Sequence, residues 1–229
     1  MAAAAAGLSD PTSTAITTDS LVFVKDGAMN WRAAFFGALT AAGLWHGLQE
    51  WRLRAIHPPD GQLAPLEPLQ TDVDAAASVP HGRWRLQERA RYDITARILG
   101  REDYRFDALA DLIPEDLALG WGPMSDNQVL KHFEITQSAR FYTWRPHGEL
   151  PIARQAVIEH SANTQVIPAN EAVRAQLRRL RVGQVIHLSG TLVDAVRDDE
   201  AYVHTSMTRS DSGAGSCEIV LVDLVENPQ

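Results

Sequence analysis

Val185-Ile186-His187-Leu188-Ser189-Gly190-Thr191-Leu192-Val193 is the stretch that decides the fold. Apolar residues crowd both sides of a single glycine, the pattern of a strand bent at the point where the side chain is missing. Working backwards, Gly183 ends a helix that Asn170 caps and that runs to about Arg181, with Val173, Leu177 and Leu180 as its apolar stripe. Working forwards, Ala201 to Thr208 and Cys217 to Val225 read as two more strands around a turn rich in Ser and Gly. The C-terminal third is therefore expected to be a curved antiparallel sheet or partial barrel.

Upstream, Tyr92, Ile94, Ala96 and Ile98 alternate with polar residues, so a strand with one buried face is expected. Pro114-Glu115-Asp116 reads as the opening of a short helix, and Ser125 and Asp126 as caps of another running to Lys131. Phe133 with Ile135, and Phe141 with Tyr142 and Trp144, suggest strands on either side of Gln137 to Arg140. Together these make residues 83–229 one α+β domain with short helices. About 145 residues can bury a proper core.

The N-terminal part reads differently. Ala33 to Leu48 is an uncharged apolar run bracketed by Trp31, Arg32, Trp51 and Arg52. It is short against the roughly 20 apolar residues of a membrane span. No small-x-small cleavage site follows it, so an uncleaved single-pass anchor over residues 29–54 is expected, with a buried helix as the bland reading. Residues 1–28 are low-complexity, expected to be disordered or untranslated, with Met29 as the start in the cell. Residues 55–82 carry Pro58, Pro59, Pro65, Pro68 and Pro80, which suit an extended tether or a segment wrapped on the domain through Leu63, Leu66 and Leu69.

The net charge of −8 and a pI near 5.4 weigh against nonspecific binding of nucleic acid by the bulk surface. A single cysteine, Cys217, is compatible with either redox compartment. Gly213-x-Gly215 lacks the lysine of a phosphate loop and the third glycine of a dinucleotide fingerprint, and no histidine pair has helical zinc spacing. Neither cofactor nor metal is expected.

Some residues invite chemistry. His160 and Ser161 are adjacent and so point apart, which suits a fixed loop more than a nucleophile and base. Cys217 reads as a small buried hydrophobe unless His160 or His204 lies beside it, with Asp211 and Glu218 as the nearest acids. Trp121, between Gly120 and Gly122-Pro123, is either a buried indole or a ligand platform. Arg140, Tyr142 and Trp144 offer stacking and charge to a glycan or a single nucleic acid strand. The bent strands after Gly183 are loosely similar to five-stranded oligonucleotide-binding barrels, a fold-level likeness that transfers no function.

The blocks Asp116–Asp126, Gln137–Trp144, His160–Asn163, Ile167–Ala169 and Thr208–Glu218 resemble the signature of an uncharacterised bacterial family of short anchored or exported proteins. The resemblance covers most of Ile56 to Val225 and implies no activity. The expectation is thus an inner-membrane protein with its domain in the periplasm, binding an envelope protein or glycan. The alternatives are an envelope hydrolase built on His160, Ser161, Asp211, Cys217 and Glu218, and a cytoplasmic nucleic-acid-binding accessory protein.

Overall fold

A computed structural model describes residues 30–74, 77–199, 201–208 and 217–227. The chain divides into two units, 1–46 and 47–229. Helix α1 (Trp31–Arg52) has 22 residues, about 33 Å at the usual helical rise. Five alanines and three glycines give it little apolar area per turn. Among the described residues no helix is long and apolar enough to cross a membrane, which corrects the reading of Ala33–Leu48 as a span to that of a helix alone.

The second unit is mixed α+β and dominated by one large sheet. Its strands are β1 (Leu69–Asp72), β2 (Ser78–His81), β3 (Trp84–Asp103), β4 (Glu115–Gly120), β7 (Ser161–Pro168), β8 (Val185–Arg197), β9 (Tyr202–Val203) and β10 (Glu218–Glu226). β3 pairs with β4, β4 with β7, β7 with β10, β10 with β8, and β8 with β3 again, so five strands close into a barrel. Every contact in that circuit is antiparallel except β7 with β10, where Glu218 to Val222 run parallel to Thr164 to Pro168. Counted along the chain, the barrel order is 1-2-3-5-4-1.

The alternation read in β3 is the reason it can close this way. Tyr92, Ile94, Ala96 and Ile98 are all buried in the barrel core with Leu117, Leu119, Ile186 and Leu188. Register shifts at Glu88/Ala90 in β3 and at Val222/Leu224 in β10 turn the strands around the barrel. Gly190 lies opposite Tyr92 and Val222, and a Cβ there would sit 2.2 Å from the Leu221 carbonyl oxygen. Only a glycine lets the two backbones approach this closely.

Helix α4 (Glu171–Leu177) is capped by Asn170, whose Oδ1 accepts from the Val173 amide at 3.0 Å. It places Val173 and Leu177, with Leu180 after it, in the barrel core, and it is shorter than the expected run to Arg181. Gly183 has φ +89° and its amide donates to the Ile98 carbonyl.

The expected helix at Pro114 is instead β4, wholly buried. Local proline and acid signals lose to the placement of Leu117 and Leu119 in the core. Between β4 and β7 the chain inserts a 3-10 turn (Gly122–Ser125), α2 (Asn127–Leu130), a hairpin of β5 (Phe133–Ser138) and β6 (Phe141–Pro146), and α3 (Arg154–Glu159). The insert packs Met124, Phe133 and Val157 on Leu99 and Ala118, the outward residues of β3 and β4.

Residues 56–68 lie along the domain. The Ile56 amide donates to Val182, the Gly122 amide to the Ala64 carbonyl, and the Ala64 amide to Ser125 Oγ. Ala64 is the buried peg, while Leu66 and Leu69 stay exposed.

Candidate functional site

Two groups of the singled-out residues come together, each around one polar side chain. The first gathers on Glu67. Leaving β4, Trp121 is fully buried, and its Nε1 donates to Glu67 Oε2 at 3.1 Å. The next residue, Gly122, has φ +49°, and a Cβ on it would meet His160 Cδ2 at 2.6 Å. His160 closes α3, with Nδ1 2.7 Å from the Ala156 carbonyl and Nε2 3.2 Å from Glu67 Oε1. Trp121 is therefore enclosed by the chain rather than displayed.

The second group gathers on Asn163. Its Nδ2 donates toward Asp116 Oδ2 at 3.3 Å, the Arg140 carbonyl at 3.1 Å and Cys217 Sγ at 3.4 Å, while its Oδ1 accepts from Gln137 Nε2 at 2.7 Å. Four of the sequence blocks meet here. Ala139 and Arg140 form the hairpin tip with φ of +51° and +66°, and the Arg140 guanidinium fills the space between acids. It lies 2.7 Å from Asp107, 3.5 Å from Asp116 and 4.0 Å over the Tyr104 ring.

Burial pushes the Asp116 carboxyl up to about 6, against the lowering by Arg140 and Asn163. Burial likewise pushes Glu115 up to about 8, although Arg101 sits 2.9 Å away. Both carboxyls therefore bind protons more tightly folded than unfolded. Their contribution to stability is full below the ordinary carboxylate range and is lost as pH rises through about 6 and then about 8. Urea midpoints measured across this range are expected to fall in two steps. Asp116→Asn should flatten the lower step and Glu115→Gln the upper.

The catalytic candidates are held in other bonds. Ser161 Oγ donates to the Val157 carbonyl at 2.7 Å and receives Tyr142 at 3.3 Å, and burial raises that phenol to about 12. His160 turns the other way, toward Glu67. Glu218 is buried on β10 opposite Thr164, and Asp211 lies outside the described residues. Other carboxylate-histidine pairs lie elsewhere on the domain, Asp93 with His187 at 3.0 Å and Asp194 with His204 at 2.7 Å. Buried Asp194 also accepts from Tyr202 Oη and the Thr205 amide, both at 3.0 Å. No local spacing signals it, since β8 and β9 bring its partners together. Among the described residues no group of three His, Cys, Asp or Glu could hold a metal ion.

No family model, curated protein or solved structure matches this chain. The chemistry must be read from its own surface.

One pocket lies on the outer face of the inserted hairpin, about 110 Å³, lined by Glu134, Thr136, Thr143, Trp144 and Arg145. The hairpin register explains it: Glu134 opposite Arg145 and Thr136 opposite Thr143 share the outer face, while Trp144 and Ile135 point to the other face and pack on the core of the insert. Arg145 and Glu134 pair at 3.6 Å, and the two threonine hydroxyls bond at 2.7 Å. Phe133 edge-on at 5.6 Å and Arg154 at 4.8 Å hold the Trp144 ring in place. The outer face offers an ion pair and two hydroxyls as fixed donors and acceptors, with the indole packed on the face beneath.

Proposed function

We propose that this chain is a membrane-associated, extracytoplasmic, non-catalytic module that binds an uncharged glycan strand on the outer face of its β5–β6 hairpin. The four polar side chains of the pocket, Thr136, Thr143, Glu134 and Arg145, carry the reading. A glycan strand is rimmed with hydroxyls that both donate and accept, and these four side chains supply the matching groups. An uncharged strand also meets no repulsion from a protein of net charge −8, whereas nucleic acid phosphates do. Arg140, the cation that a nucleic acid reading would use, is engaged by Asp107 and Asp116.

Membrane association rests on α1. Trp31, Phe35, Phe36, Leu39, Leu44 and Trp45 are exposed, and a helix with apolar side chains all round needs a covering phase. An envelope hydrolase is the second reading, favoured by the Asp194–His204 pair.

The test is retention of the full chain on insoluble chitin or cellulose, with supercoiled and single-stranded DNA as controls. Retention on polysaccharide is expected, with about a tenfold loss for Arg145→Ala, the scale of one lost hydrogen bond to a charged group. Retention on DNA alone would favour the nucleic acid reading.

A further inference from the structure

We infer that Arg52, Arg54, Arg178, Arg179 and Arg181, gathered where the end of α1 meets the turn after α4, form a docking face for the headgroups of an anionic lipid bilayer.

Two segments far apart in sequence build this face. The chain leaving α1 lies against the turn that follows α4: Arg181 Nε donates to the Arg54 carbonyl at 2.8 Å, and the Ile56 amide donates to the Val182 carbonyl at 2.8 Å. Gly183 permits the approach, since a Cβ on it would collide with the Ile56 carbonyl oxygen. Residues 47–57 belong to the same unit as the barrel, so these contacts are internal to one compact body.

The charge gathered there is of one sign. Residues 47–57 and 170–184 carry six arginines against Glu50 and Glu171, and Glu171 is engaged by Arg174 at 3.1 Å. Arg52, Arg54, Arg178 and Arg179 are exposed, and among the described residues neither they nor Arg181 form an ion pair. Exposed arginines elsewhere are paired: Arg83 with Asp111, Arg91 with Asp223, Arg197 with Asp199. A helix C-terminus favours a cation, which accounts for Arg178 but not for Arg52 and Arg54, brought in from another segment. On a chain of net charge −8 this is a local reversal of sign.

Trp51 points to lipid as the occupant. It stands beside Arg52 in the last turn of α1 and is 62% exposed. An indole seats at a membrane–water interface, where arginine stems lie in the apolar layer and their guanidinium groups reach phosphate. Clusters of about four to eight arginines next to a membrane-associated helix recognise anionic headgroups, each adding about fivefold in affinity. Nucleic acid carries phosphates too, but a continuous polyanion would run off the face onto an acidic surface. The inference rests on the membrane association proposed for α1.

Flotation of the full chain with vesicles of phosphatidylcholine alone, and with about 30% phosphatidylglycerol, tests it. Binding to both is expected, about a hundredfold tighter to the anionic vesicles, with the surplus removed by about 0.5 M salt. Arg54→Gln combined with Arg179→Gln should weaken anionic binding roughly 25-fold and leave phosphatidylcholine binding unchanged. Arg83→Gln combined with Arg85→Gln makes the same charge change at the far end of β3 from Arg101, whose Nη1 donates to the Leu180 carbonyl, and should alter neither. Equal affinity for the two vesicles would overturn the inference and leave the α1 reading standing, whereas binding to neither would overturn both. An equal loss in the Arg83 and Arg85 variant would reduce the effect to net charge and overturn the face. So would a loss in the Arg54 and Arg179 variant seen only on single-stranded DNA.

Discussion

Replacing Arg140 by alanine should cost about 3 kcal/mol of stability at pH 8, the scale of breaking a buried ion pair by removing one partner. The Arg140 guanidinium lies between Asp107 and Asp116, and Asp116 is fully buried. Without the cation, Asp116 is left as an unpaired buried anion. The cost should shrink at pH 5, because a carboxyl already pushed up to about 6 by burial can then take a proton instead. Arg140→Ala combined with Asp116→Asn should recover much of the loss. Urea denaturation at both pH values measures all of this, and a loss under about 1 kcal/mol at pH 8 would mean that the hairpin tip does not secure the barrel face.

Gly190→Ala should destabilise by roughly 3 kcal/mol, the upper end for overpacking. The added Cβ would lie 2.2 Å from a backbone oxygen of β10, which no side-chain rearrangement can relieve. The strand contacts of β8 with β10 and with β3 both converge there, so the variant should lose barrel closure before it loses its helices. Near-native far-UV circular dichroism with an unchanged unfolding midpoint would contradict the closed barrel.

What could be read in advance follows from which signals are local. The alternation of Tyr92 to Ile98, the glycine in β8 and the Asn170 cap each act within a few residues, and the structure contains all three. Glu115 to Gly120 misled because a strand buried on both faces shows no alternation, leaving Pro114 and the acids as the loudest local cue.

At the site, the individual blocks were legible but their meeting point was not. Asn163 reaches Asp116 because β4 pairs with β7, and Cys217 because β10 runs parallel to β7, and such registers are set by the whole barrel. Glu67 gave no signal at all. It is an acid in a proline-rich stretch, and only the docking of that stretch brings it to Trp121 and His160. The hairpin pocket was not visible: Trp144 points to the other face, and Glu134, Thr136, Thr143 and Arg145 meet only through the pairing of the two strands.

The most direct measurement is a titration of the full chain with a soluble chito-oligosaccharide, followed residue by residue through amide NMR shifts or hydrogen exchange. The account predicts saturable changes confined to Glu134–Thr136 and Thr143–Arg145, absent in Arg145→Ala. Saturable changes centred on Tyr202 and His204 instead, or none at any concentration while single-stranded DNA produces them, would contradict it.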